Sequence, residues 1–134
     1  MNTSFVALLK TIAEKNQWQL EHADPEYVMH VKTLGLCKPV RISFVKEPGG
    51  KGAWARYVAD AGPDGHLPAE FCLRLNADKR FITGGIALRG DRLIYLDTQN
   101  TEDADDSEVR SSLRYVARFA IALGNQINDA LLSS

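Results

Sequence analysis

Cysteine is scarce in this chain. Cys37 and Cys72 are the only two among 134 residues, and they sit in unlike contexts. Neither a disulfide scaffold nor a four-cysteine zinc site is expected from them. A surplus of one charge is also missing: 16 Lys and Arg face 17 Asp and Glu, for a net charge of −1. Displacing counterions from nucleic acid takes a basic surplus, so no nucleic-acid partner is expected. No apolar run approaches the ~20 residues that a membrane-spanning helix needs. Phe5 to Ile12 is apolar, but Lys10 interrupts it and Glu14 and Lys15 follow it. It has neither the basic leader nor the small-residue cleavage site of a signal peptide. A soluble, cytoplasmic protein is the expectation. Nucleophile elbows, dinucleotide fingerprints and assignable carboxylate pairs are absent as well.

With 45% hydrophobic residues, the chain is long enough to bury a core, which predicts one globular domain over residues 1–134. The strongest pattern is at the end. From Asp105 to Leu132, the residues Val109, Leu113, Val116, Ala120, Leu123, Ile127 and Leu131 recur at spacings of three and four, so they share one face of a long helix. Asp105 and Glu108 are spaced for a capping box. Ala120 and Gly124 lie one turn apart in this helix. A glycine there costs about 1 kcal/mol relative to alanine, which suggests that something approaches it closely.

Ahead of this helix, Thr3 to Asn16 reads as a first helix with Phe5, Leu8, Leu9 and Ile12 on one face. Strand alternation follows at Gln17–His22, Glu26–Thr33, Val40–Phe44 and Ala53–Ala61, with breaks at Asp24-Pro25, at Gly35 and Lys38-Pro39, and at Pro48 to Gly52. In the fourth strand, Trp54, Arg56 and Val58 face one way and Ala55, Tyr57 and Ala59 the other. Pro68 to Asp78 suits either a short helix or a strand. Pro68 and Glu70 favour the helix. Arg80–Arg89 and Arg92–Asp97 read as a hairpin with Gly90-Asp91 at its tip, and Thr98 to Ala104 reads as an acidic loop. The order of elements predicts an α+β fold: an antiparallel sheet of about five to six strands, flanked by an N-terminal helix, a short middle helix and a long C-terminal helix.

Candidate chemistry is thin. Gly49-Gly50-Lys51-Gly52 lacks the following Ser or Thr and the helix of a phosphate loop, and reads as a hairpin turn. Asp97 to Glu108 has the length of a calcium loop, but Gln99 and Thr101 fill ligand positions and Glu102 replaces the bending glycine. His22, His30 and His66 have no metal-ligand spacing, and Cys72 sits between Phe71 and Leu73, where an inert buried thiol is expected. No metal, cofactor or catalytic residue is assigned. Arg89-Gly90-Asp91 matches an adhesion tripeptide by letter and reads as a turn. Trp54, Tyr57 and Arg56 are the residue types that anchor partners.

The second half resembles the type III secretion chaperone-like superfamily, with the YbjN-like bacterial proteins as its nearest branch. The likeness lies in Phe71-Cys72-Leu73-Arg74-Leu75-Asn76, then Gly85-Ile86-Ala87-Leu88, then Asp91-Arg92-Leu93-Ile94-Tyr95-Leu96, then a polar loop and a long amphipathic helix. The resemblance implies a commonly homodimeric α+β protein that has no catalytic centre and holds a protein client along apolar surface. Secretion chaperones are usually strongly acidic and this chain is nearly neutral, which favours the regulator or binding-module branch. The expectation is a non-enzymatic, chaperone-like protein-binding module. Trp54 and Tyr57 would contact the partner, and Phe71 and Leu75 would serve self-association. Two rival readings are a small enzyme or metal-binding protein using His30, His66, Cys72 or the acidic loop, and a structural subunit of a larger assembly.

Overall fold

A computed structural model describes residues 3–46, 53–63, 69–77 and 83–132, and the side chains of these except 3, 69, 71, 72 and 127–132. The elements run α1 (Thr3–Asn16), β1 (Gln19–Ala23), β2 (Glu26–Thr33), β3 (Leu36–Lys46), β4 (Ala53–Pro63), α2 (Ala69–Leu75), β5 (Gly85–Arg89), β6 (Arg92–Asn100) and α3 (Asp106–Leu132). The six strands form one antiparallel sheet in the order β1-β2-β3-β4-β6-β5. This is the α+β arrangement that the element order predicts.

The α1 and α3 helices lie on the same side of the sheet, in contact with each other and with the strands beneath. The apolar spacing of α3 is the reason. Val109, Leu113, Val116, Ala120 and Leu123 are all fully buried; the first four meet Met29, Val31, Val40, Ile42, Ala55, Tyr57 and Ala59 from alternate positions of β2, β3 and β4, and Leu123 packs with Leu75 and Leu93. Phe5, Leu9 and Ile12 of α1 fill the other end of the same core. Asp105 caps α3: its Oδ1 accepts the Glu108 N–H at 2.8 Å, satisfying a helix-start donor. The neighbouring Asp105 carboxylate pushes the Glu108 carboxyl above its usual range. At the end of α1, Gln17 takes a left-handed conformation (φ 56°). The Trp18 N–H reaches back to the Ala13 carbonyl and the Gln17 N–H to Glu14, closing the helix.

Two expected breaks prove to be strand. β3 runs straight through Lys38-Pro39. Pro39 pairs in register with His30 of β2, but the ladder from β3 to β4 starts only at Arg41 opposite Val58. The missing proline N–H therefore leaves no gap on the β4 side. Thr98 to Asn100, expected in a loop, continue β6 because β4 is long enough to pair with them, Trp54 opposite Asn100 and Ala55 opposite Gln99. Asp97 is thus inside a strand, which removes the loop geometry of the calcium-loop candidate. The Pro48–Gly52 turn lies outside the described residues.

Gly124 has a clear packing role. A Cβ at this position would sit 2.8 Å from the backbone carbonyl oxygen of Ala61. Ala61 lies at a β-bulge in β4, where the register with β6 shifts between Asp60 and Gly62. The close approach that the sequence suggests is therefore between the long helix and the sheet.

Candidate functional site

Strand alternation leaves the sheet with a second face. All three helices pack on the side of Tyr57 and Leu93. Among the described residues, no element covers the side that carries Val28, Arg41, Val45, Trp54, Val58 and Ile94. Apolar side chains on an uncovered sheet face signal an interaction surface rather than a core.

At one end of this open face is a recess of about 260 Å³, lined by Val28, Pro39, Arg41, Val58, Asp60, Arg89, Arg92 and Ile94. Two irregularities shape it. The β3–β4 ladder stops at Arg41 and Val58, so Pro39 lies beyond its last pair. The β4 bulge then turns the strand at Gly62, whose φ of 115° suits a residue without Cβ and whose N–H donates to Asp60 Oδ1 at 2.6 Å. Val28, Val58 and Ile94 make the floor and are nearly buried, at 9%, 7% and 6% exposure. Around them stand arginines. Arg92 holds Asp60 with two hydrogen bonds, Nε to Oδ2 at 2.5 Å and Nη2 to Oδ1 at 2.9 Å. This fork holds the Asp60 carboxyl below its ordinary range, assisted by the Gly62 N–H and by Lys38 nearby. Arg41 donates to Glu26 at 2.8 Å. Arg89 is exposed and meets no carboxylate among the described residues.

The residues expected at the site are scattered. Trp54 is half-buried on the open face, opposite Val45 and Asn100 in the flanking strands. Tyr57 is on the other face, fully buried in the helix-covered core. Its hydroxyl donates to Gln99 Oε1 at 2.7 Å, and burial with Asp97 close by pushes its pKa well up. It offers no surface to a partner, and an odd spacing from Trp54 is the reason. Tyr95, also in the core, donates to the Thr83 carbonyl and is pushed up to about 12 by burial. Leu75 is buried against Leu93 and Leu123 inside the chain. The Phe71 and Cys72 side chains and the whole of His66 lie outside the described residues. His30 is in β2 with its Nε2 3.1 Å from Glu21, and His22 stacks on Tyr27 at 4.5 Å. Three strands separate β2 from β5, the strand that α2 packs against. At ~4.8 Å per strand that is roughly 19 Å, so His30 and the helix carrying Cys72 do not share a site. No group of three or more His, Cys, Asp or Glu side chains is placed to hold a metal among the described residues. Among these residues, too, no helix is long and apolar enough to cross a membrane.

The two margins of the sheet differ. On the β5 side the Asn76 amide covers the outward backbone of the strand: its Oδ1 accepts the Ile86 N–H at 2.6 Å and its Nδ2 donates to the Ile86 carbonyl at 3.3 Å. A side chain here imitates a neighbouring strand and occupies the pairing groups of Ile86. Among the described residues, nothing pairs with the outer side of β1. Exposed leucines cluster at two places. Leu34 and Leu36 flank Gly35 at the β2–β3 turn, and Leu73 and Leu88 lie on α2 and β5, two elements in contact.

This architecture has a counterpart among solved structures. The chain is similar to the Yersinia pestis type III secretion chaperone SycH, solved in complex with a stable fragment of YscM2, with a TM-score of 0.61 over 89% of this chain and 98% of that one. The fold is that of a type III secretion chaperone. Sequence identity to SycH is 18%, so the likeness is one of architecture. No family model matches the sequence and no curated protein does. The chaperone fold accounts for the order of helices and strands, including the first half, where the sequence patterns alone carry little resemblance. The arginine-rimmed recess is what sequence reading missed. Its residues come from β2, β3, β4, β5 and β6, and only the register brings them together.

Proposed function

We propose that this chain is a non-enzymatic, chaperone-like module that binds an extended segment of a protein client on the open face of its sheet. The observation that carries the reading is the uncovered face itself, with Trp54, Val45 and Leu96 half-buried on it and no helix above them among the described residues. A client strand laid along such a face, or added at the unpaired side of β1, would gain from buried apolar area and backbone pairing together. The nearly neutral charge, −1, supports a general regulatory role of the YbjN-like kind over dedicated secretion. A cytoplasmic setting goes with that role.

Trp54→Ala tests it. The variant and the parent chain are used to capture proteins from the native cell, and both are unfolded in urea. The expected result is a client retained by the parent and lost by the variant, with a small drop in stability. Equal loss of client and of stability would make Trp54 part of the core and end the reading.

Self-association is a second element of the proposal, favoured by the exposed Leu73 and Leu88 on adjacent α2 and β5. They take the place of Leu75, whose burial removes it from any interface. Light scattering across a concentration series should show a dimer that Leu73→Glu dissociates. A monomer at every concentration would refute it.

A further inference from the structure

We propose that the arginine-rimmed recess is the seat for an acidic segment of the protein partner. One aliphatic side chain would lie on Val28, Val58 and Ile94, and a flanking carboxylate would pair with Arg89. The inference rests on the protein-binding reading above and adds the chemistry of the bound segment.

Three observations support it. The first is charge. Lys38, Arg41, Arg89 and Arg92 stand around the recess against Glu26, Asp60 and Asp91. Arg41 and Arg92 already hold Glu26 and Asp60. One positive charge is left over, on a chain whose total is −1, and of the three arginines that line the recess Arg89 is the one that holds no carboxylate among the described residues. Its planar fork fits a carboxylate in two-point contact. The Arg92–Asp60 fork beside it shows the same pairing made within the chain.

The second observation is the floor. Val28, Val58 and Ile94 come from three different strands and, nearly buried, close the base of the recess on the face away from the core. The base of the recess is therefore aliphatic, where a methyl-bearing side chain makes contact and a charged group finds no partner. The third is size. At about 260 Å³ the recess falls below the roughly 300–1,000 Å³ typical of small-molecule pockets, and it opens onto the same face as Trp54. That suits a side chain or two of a chain that continues along the sheet. A single unmatched arginine is also too little for a nucleic acid, whose binding rests on neutralising many phosphates.

The probe is a fluorescein-labelled ten-residue peptide of alternating Glu and Leu, followed by fluorescence anisotropy. The comparison probes are its Gln-for-Glu counterpart, octanoate as competitor and a single-stranded oligonucleotide of the same length. The expected result is saturable binding of the Glu peptide that weakens with salt, at least tenfold weaker binding of the Gln peptide, and at least tenfold loss on Arg89→Gln. Methyl resonances of Val28, Val58 and Ile94 should shift on titration. Arg89 is exposed at the end of β5, so the unfolding midpoint of Arg89→Gln should match the parent. A charge-reversed Arg89→Glu should bind a Lys-Leu peptide instead. Equal binding of the Glu and Gln peptides overturns the proposal. So does octanoate saturating the site as tightly as the peptide, or preference for the oligonucleotide. If the client captured through Trp54 is retained at full strength by Arg89→Gln, the recess inference fails and the protein-binding reading stands. If Trp54→Ala also has no effect on capture, both fail.

Discussion

Replacing Gly124 with alanine should destabilise the protein, against the usual trend for helices. In an exposed helix interior, alanine is better than glycine by about 1 kcal/mol. Gly124 is not in that situation. Its missing Cβ would stand 2.8 Å from the Ala61 carbonyl oxygen and 3.8 Å from the Ala61 carbonyl carbon. Both partners are backbone, so no side chain can rotate away. Relief requires α3 to move off β4 by several tenths of an ångström, and Ala117, Ala120 and Leu123, all fully buried, resist that movement. Overpacking of this kind costs about 1–3 kcal/mol. Setting that against the propensity gain leaves a net loss of about 1 kcal/mol. Urea denaturation followed by circular dichroism would measure it, with an unchanged m-value as the sign that the folded state keeps its extent. Asn125→Ala, at the exposed neighbouring position, is the control and should gain about 0.5 kcal/mol from propensity alone. A Gly124→Ala protein more stable than the parent by the full propensity difference would refute the close packing of helix on sheet.

Leu34 holds φ at 55° in the turn between β2 and β3, beside Gly35 at 71°, and is 62% exposed. Two-residue turns with both φ values positive favour Asn-Gly, so Leu34→Asn should raise the thermal midpoint, with a gain of about 0.5–1 kcal/mol. An unchanged or lowered midpoint would mean that the leucine is supported by packing. Asp60 has its pKa lowered from the ordinary 3.8, chiefly by the hydrogen bonds from Arg92. A depressed carboxyl adds stability above its unfolded value and loses it as pH falls through the folded one. The parent should therefore lose stability below about pH 4 more steeply than Asp60→Asn. Urea midpoints at pH 7, 4 and 3 test this. Parallel acid limbs would show that the fork contributes nothing measurable, as exposed pairs often do.

The fold was legible where periodicity and local chemistry agree. The helix at Thr3–Asn16 and the strand at Glu26–Thr33 have the bounds the patterns give, and the hairpin turn at Gly90-Asp91 is where a glycine beside an aspartate puts it. The long C-terminal helix needed only its spacing and its cap. What escaped reading depends on neighbours. Pro39 looks like a breaker until the β4 ladder is seen to begin two residues later. Thr98 to Asn100 are polar, so nothing local marks them as strand, and they are held by pairing with β4. Trp54 and Tyr57 looked alike as anchors by residue type, although strand alternation had already put them on opposite faces. The tyrosine belongs to the core, and its hydroxyl is satisfied by Gln99. The recess was out of reach, because Val28 and Ile94 are distant in sequence and become neighbours only across three strand pairings.

The Asn76 amide lying across Ile86 sets a limit on assembly. Ribbons of stacked molecules need two sticky margins per copy, so that each newcomer offers a fresh one. Among the described residues, β1 is the margin without such a cover. Two molecules meeting through their first strands would form one continuous layer whose two outer strands each carry an Asn76 amide across Ile86.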